Sequence, residues 1–190
     1  MASAHKVVSS DAEELILVDE NDTEIGFLSK TECHDGTGML HRAFSLFLFD
    51  ESGKLLLQQR SESKRLWPGY WSNTCCSHPR KGESTSVATR RRLRDELDIE
   101  TPLEFVYKFS YQAEFGSTGS ENELCHVFLG KASDEVTPND HEISAIRFVT
   151  IDTLLREFES TPELFTPWFK LEWLALTKEH RDALSRYCDI

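Results

Sequence analysis

The chain reads as an α/β (α+β) protein, a mixed β-sheet core flanked by helices, and three observations predict that class. Short apolar and aromatic runs bounded by turn residues recur up to about residue 150 of the 190. One stretch in their midst, Ser84 to Leu97, is built of good helix formers behind a capping residue. Beyond it strand-like runs resume, and the chain then turns to helices with no repeat, low-complexity tract or interdomain linker.

The elements follow in order. Glu14 to Val18 and Glu24 to Leu28, joined through Asn21-Asp22, predict a hairpin, and Lys30 to Leu40 a loop with Gly36 and Gly38 as its flexible points. Ala43 to Phe49 and Leu55 to Arg60, separated by Asp50-Glu51-Ser52-Gly53, predict a second hairpin, apolar enough to be the sheet core. Trp67-Pro68-Gly69-Tyr70-Trp71 is an aromatic turn. After the Ser84 to Leu97 helix, capped by Ser84 or Thr85, strands are expected at Phe105 to Ala113, Glu121 to Gly130 and Ala145 to Thr150. Asp152 to Phe158 and Pro167 to Tyr187 read as helices.

Composition narrows the function. Hydrophobic residues at 39% and aromatics at 11% suit a globular core, and 190 residues can enclose a pocket in a single domain, 1–190. A formal charge of −12 repels nucleic acid and anionic membrane surfaces, so neither is expected as a partner. A small anionic molecule stays open where cations cluster locally. Before Asp22 the only apolar run is Leu15-Ile16-Leu17-Val18, too brief for a secretory signal core or a membrane span, so a cytoplasmic protein is expected. Its five cysteines, an odd number without a framework, are expected to be reduced thiols.

Two of those thiols adjoin a histidine, in Asn73-Thr74-Cys75-Cys76-Ser77-His78-Pro79. In an extended segment side chains alternate, so Cys76 and His78 share one face and Cys75 takes the other. His34 and His41 flank the glycine-containing loop, which lets both imidazoles turn to one point. Alone, such a pair is more often simply solvated. Glu121 and Glu123, two apart on an expected strand, share a face and repel unless a cation or proton separates them. They could equally solubilise a strand edge. If the fold gathers these segments, three imidazoles and two carboxylates form a mixed nitrogen and oxygen set suited to manganese, magnesium or zinc.

On the helix, Arg92 and Glu96 stand at i and i+4, which by itself describes an ordinary ion pair. Lys30, Arg60, Lys64 and Arg92 are nevertheless separated cations on elements adjoining the histidines. Converging, they would make a local anion pocket. A diphosphate needs such cations together with a magnesium ion, for which Glu96 is a candidate ligand.

The blocks His34-x6-His41-Arg-Ala-Phe-Ser, Leu55-Leu56-Leu57-Gln58-Gln59-Arg60, Trp67-Pro68-Gly69, Asn73 to Pro79, Arg94-Asp95-Glu96-Leu97, Glu121-Asn122-Glu123 and Thr166-Pro167-Trp168-Phe169 occur in that order. Together they closely resemble type I isopentenyl-diphosphate delta-isomerases, of the Nudix superfamily. The resemblance runs from about Val18 to Leu174, leaving 1–13 and 175–190 peripheral. The Nudix box, from Ser77 to Ile99, is degenerate: Ser77 and Asp98 replace glycines, and Arg92 stands where hydrolases carry a glutamate.

The resemblance implies interconversion of isopentenyl and dimethylallyl diphosphates, in isoprenoid biosynthesis, by proton addition on one side of an allylic system and removal on the other. By position, Cys76 and Glu123 are the implied proton-transfer pair, with Tyr111 assisting the carboxylate and Trp168 facing the carbocation. Trp67 or Trp71 would add to the wall of that slot. His34, His41, His78, Glu121 and Glu123 match the family's metal site, Glu96 the ligand of a substrate-bound magnesium, and Lys30, Arg60, Lys64 and Arg92 the diphosphate contacts. No flavin or nicotinamide is expected, and a monomer is. The alternatives are a Nudix hydrolase of a nucleoside diphosphate derivative, and a metal-dependent binding or scaffold protein without turnover.

Overall fold

A computed structural model of the chain describes residues 7–133 and 135–190. Its centre is β3, His41–Phe49, a nine-residue strand buried on both faces. The alternation of that strand sends Ala43, Phe47 and Phe49 into one apolar cluster and Phe44, Leu46 and Leu48 into another. Each such side chain removed from water contributes roughly 1.5–3 kcal/mol, which is why a continuous apolar run takes the middle of the sheet.

Among the described residues, nine strands join one mixed sheet around β3. Along one edge β8, Gly119–Lys131, runs parallel to it from His41↔Glu123 to Phe49↔Lys131. The opposite edge is shared by β1 (Glu14–Val18) at His41, β6 (Cys75–Ser77) at Phe44 to Leu46, and β4 (Leu55–Arg60) at Phe49. β2 (Glu24–Ser29) pairs with β1, β7 (Leu103–Phe115) with β8, and both β5 (Trp71–Ser72) and β9 (Ile143–Val149) with β4.

Helices cover the two faces. α2, Thr85–Leu97, lays Ala88, Leu93 and Leu97 on the Phe44 side. Its first turn is capped by the Ser84 hydroxyl, which accepts from the Val87 N–H. It ends at Asp98 in the left-handed region, φ 54°, so the aspartate that replaces a box glycine adopts the conformation a glycine would. The Phe47 side is closed by α3 (Ile151–Ser160), α4 (Pro167–Lys178) and α5 (Arg181–Leu184), through Leu154, Phe169, Trp173, Leu176 and Leu184.

Both expected hairpins and the capped helix form, and two expectations change. Lys30–His34, read as loop, is a helical turn, α1, closed by a reciprocal cap between Ser29 and Glu32. The helix expected from Pro167 to Tyr187 breaks between Lys178 and Arg181, where His180 leaves helical geometry at φ −123°, ψ 30°.

Candidate active site

The register across three strands builds the site. Tyr111 on β7, Glu123 on β8 and His41 on β3 are cross-strand neighbours and share a face. β6 pairs Cys76 with Ser45, so Cys76 joins that face, while Cys75 pairs with Leu46 and lies in the cluster beneath α2. The alternation expected from the sequence is therefore the alternation the sheet adopts.

α1 supplies His34, and one glycine lets it approach. Gly119 opens β8 at φ 153°, and a Cβ there would fall on the His34 carbonyl oxygen. Any side chain would push α1 away from Glu121. The same loop is tied to β8 by Ser120 Oγ, which donates to the Gly36 carbonyl at 2.7 Å, and by Asn122 Nδ2, which donates to that of Gly38 at 3.1 Å. Asn122 thus fastens the loop from the opposite face while Glu121 and Glu123 point into the site.

The five expected metal ligands come together. His34, His41, His78, Glu121 and Glu123 each offer an atom within 4.8 Å of the others, and all but the half-buried His78 are buried. The Nδ1 atoms of His34 and His41 lie 2.6 and 2.7 Å from the carbonyls of Lys30 and Met39. A carbonyl only accepts, so Nδ1 carries a proton and each Nε2 points inward, the nitrogen that can offer a lone pair to a metal. His34 Nε2 faces Glu121 at 2.8 Å, His78 Nε2 faces Glu123 at 2.8 Å, and His41 Nε2, 3.8 Å from Glu123, is buried with no hydrogen-bond partner among the described residues.

The electrostatics agree with a cation site. Burial, aided by the neighbouring imidazoles, holds His78 well below the ordinary histidine range and His41 down to about 4. Burial opposes a charge on His34 as well, but Glu121 outweighs it and raises that pKa. Burial and the charge of Glu121 push Glu123 up, so in the bare pair one carboxyl keeps a proton. Two uncharged imidazoles, His41 and His78, a third held against Glu121, and two crowded carboxylates fit a divalent metal, which would displace the His34 proton on binding.

Beside this group lies a cleft of about 360 Å³. Cys76, Glu123, Tyr111 and Trp168 all line it. Tyr111 donates its hydroxyl to Glu123 Oε2 at 2.6 Å. Burial lifts the Cys76 thiol to about 12 despite Arg60, whose Nη1 lies 4.0 Å from the sulfur. Trp168 is fixed by its Nε1–H, which donates to Ser72 Oγ at 3.1 Å. Trp67 meets it edge-on at 5.2 Å, held in a left-handed conformation, φ 47°, between Trp168 and Phe115. Trp71 is not part of this wall, for its ring lies under Arg147 at 4.2 Å.

The four expected cations also line the cleft, in two places. The Arg60 guanidinium donates to the Leu66 and Trp67 carbonyls and lies over the Trp168 ring at 5.2 Å, at the thiol end. Lys64 and Arg92 both contact Glu142, and Lys30 donates to Ser9 Oγ at 2.5 Å. Glu96 does not join the metal group: it is buried, accepts from Arg92 at 2.7 Å, and receives the Cys75 thiol at 3.5 Å.

Sequence reasoning passed over Glu142, and also Val8, whose carbonyl accepts from Arg92 at 3.0 Å. It likewise passed over Glu172 on α4, fully buried on the Cys76 face, where Cys125 Sγ donates to it at 3.4 Å. Burial pushes the Glu172 carboxyl up to about 8. A glutamate inside the otherwise apolar face of α4 was the available signal for it.

Residues 39–169 match the NUDIX domain family. An isopentenyl-diphosphate Delta-isomerase 1 of Photorhabdus laumondii is 43% identical over 175 residues, covering 90% of this chain and 99% of that one. The isopentenyl-diphosphate Delta-isomerase of Serratia proteamaculans is 44% identical over 157 residues, 83% of this chain and 87% of that one. Among solved structures, DR0079 of Deinococcus radiodurans shares the fold at a TM-score of 0.65 and 24% identity, over 78% of this chain and 90% of that one.

Proposed function

The chain belongs to the NUDIX family and, within it, to the isopentenyl-diphosphate Delta-isomerases, and from that premise we propose how its cleft moves a double bond. The substrate is a small diphosphate, isopentenyl diphosphate, and the product dimethylallyl diphosphate. One observation carries the reading. Cys76 and Glu123 open on a single cleft, between a cluster of metal ligands and a cluster of cations.

The alkene's π pair takes a proton at the terminal carbon, which leaves positive charge on the branched carbon. The C–H pair of the carbon on its other side then becomes the new double bond as that proton departs. One proton goes on and one comes off, so the two groups must start in opposite protonation states. Cys76 and Glu123 fill these roles from opposite sides of the substrate, one as acid and the other as base. Burial keeps the thiol neutral until the substrate is in place, and Arg60 beside it stabilises the thiolate when one forms. Tyr111 orients Glu123 and steadies the carboxylate by its hydrogen bond.

The branched cation would be lost to water, so the walls matter as much as the acids. Trp168 presents a ring that already faces the Arg60 guanidinium, and the tertiary cation can use the same π surface. A divalent ion held by His34, His41, His78, Glu121 and Glu123 would supply the positive charge that lets two carboxylates sit together and sets the acidity of Glu123. Magnesium, manganese and zinc all suit that donor set. Lys30, Lys64, Arg92 and Arg60 would hold the diphosphate with its magnesium, for which Glu96, now paired with Arg92, would be the protein ligand. The protein acts as a monomer in the cytoplasm, where its cysteines stay reduced.

A hydrolase needs a carboxylate-rich helix beside a metal-bound water, whereas α2 carries Arg90-Arg91-Arg92 and neutralises Glu96 with Arg92. Incubation of purified protein with isopentenyl diphosphate and magnesium separates the readings. Dimethylallyl diphosphate is the expected product. Released phosphate would mean hydrolysis, and unchanged substrate a binding protein.

A further inference from the structure

The cationic corner of the cleft contains its own counter-anion. Glu142 is 3% exposed, directly before β9, among residues that read as an acidic turn, Asn139-Asp140-His141-Glu142. Its carboxylate contacts Lys64 and lies 3.2 Å from Arg92 Nη2. The main chain holds it there: the Glu142 N–H donates to the Asn139 carbonyl at 3.0 Å, and the Glu142 carbonyl accepts from the Ser61 N–H at 3.0 Å. Lys64 is tied into the same turn, its N–H donating to the Ser61 carbonyl at 3.0 Å. The anion and one of its cations are thus parts of a single clamp.

We propose that Glu142 is a positioning residue that serves as the resident counter-anion of the diphosphate corner, aiming Lys64 and Arg92 and limiting how tightly a diphosphate is held. The inference rests on the reading of that corner as the diphosphate site. Three cations, Lys30, Lys64 and Arg92, meet there; Glu96 pairs with Arg92, Glu142 with Arg92 and Lys64, and Glu13 acts on Lys30 from beside the corner. Unpaired buried cations are costly and would swing toward water, so Glu142 keeps them aimed before the ligand arrives. The Glu142 carboxyl stays ionised, for Lys64 and Arg92 outweigh its burial and hold it down to about 2.

The same charge works against the ligand. An entering diphosphate must share Lys64 and Arg92 with Glu142, which lowers its affinity. Substrate and product carry the same diphosphate, so tightness gained there is uniform binding that adds nothing to the chemical step and delays release. A counter-anion in the corner keeps the cations aimed and the product mobile.

The test is calorimetric titration of the magnesium-loaded, full-length protein with inorganic pyrophosphate, wild type against Glu142→Gln. The amide keeps the shape and one hydrogen bond but loses the charge, and pyrophosphate is expected to bind about tenfold tighter. With isopentenyl diphosphate, KM and kcat should both fall. Glu142→Asp keeps the charge for folding but draws it back by one methylene, and should move the same way by about threefold. Unchanged or weaker pyrophosphate binding in whichever variants keep the wild-type melting temperature overturns the inference. Failure of the wild type itself to bind pyrophosphate would remove the diphosphate reading, and the inference with it.

Discussion

Two thiols one residue apart meet opposite fates. Cys76 pairs with Ser45 and faces the cleft, with Glu123 and Trp168 among its other walls. Cys75 pairs with Leu46, is completely buried under α2, and gives its S–H to Glu96. Burial raises both thiols, so acidity does not separate them. What separates them is the strand's period of two: one side chain reaches the cleft and the other packs a helix onto the back of the sheet. Reactivity here is a matter of which face a residue takes.

The sharpest break of that comparison is Cys76→Ala. Removing one of two proton-transfer groups should lower kcat at least about a thousandfold while leaving the melting temperature within a few degrees, checked by product chromatography and calorimetry. Comparable activity in that variant would place the proton donor elsewhere.

Glu172 probes the same face from below. Its folded pKa of about 8 stands above the ordinary value of 4.5. The unfolded chain therefore ionises it first, and the stability present below pH 4.5 is lost as the pH rises toward 8. Glu172→Gln should remove that slope and be more stable than wild type by about 3 kcal/mol at pH 8 relative to pH 5, in urea titrations. Parallel pH profiles for the two proteins would mean the carboxyl is already ionised.

His34→Ala removes a ligand from the cluster beside Cys76. Metal affinity should drop about a hundredfold and activity with it, read by metal analysis after dialysis and restored in part by excess metal. Full occupancy at equal free metal would take His34 out of the set. Cys75→Ala is the smallest change, expected to cost about 1 kcal/mol of stability through lost packing and to keep activity within about threefold. Equal losses in Cys75→Ala and Cys76→Ala would defeat the comparison.

The contrast of faces was legible early because it needs only alternation. So were the hairpins and the long helix, whose apolar runs and caps are local signals. α1 was missed although Ser29-x-x-Glu32 is a capping box, because five residues are too few to show periodicity beside Gly36 and Gly38. Joining the histidines to Glu121 and Glu123 needs the parallel register His41↔Glu123, a pairing across about eighty residues that spacing alone does not encode. Glu142 and Glu172 were hidden for the opposite reason: a glutamate in so acidic a chain reads as solvated until packing shows it buried.

The central claim is that a proton goes on at one end of the allylic unit and comes off at the other, with Cys76 as one of the two carriers. Turnover of isopentenyl diphosphate in heavy water with magnesium, followed by NMR of the product, tests it most directly. Wild type should yield dimethylallyl diphosphate carrying deuterium in a methyl group, with no phosphate released and no such product from Cys76→Ala. Unlabelled product, free phosphate, or equal labelling by Cys76→Ala would contradict it.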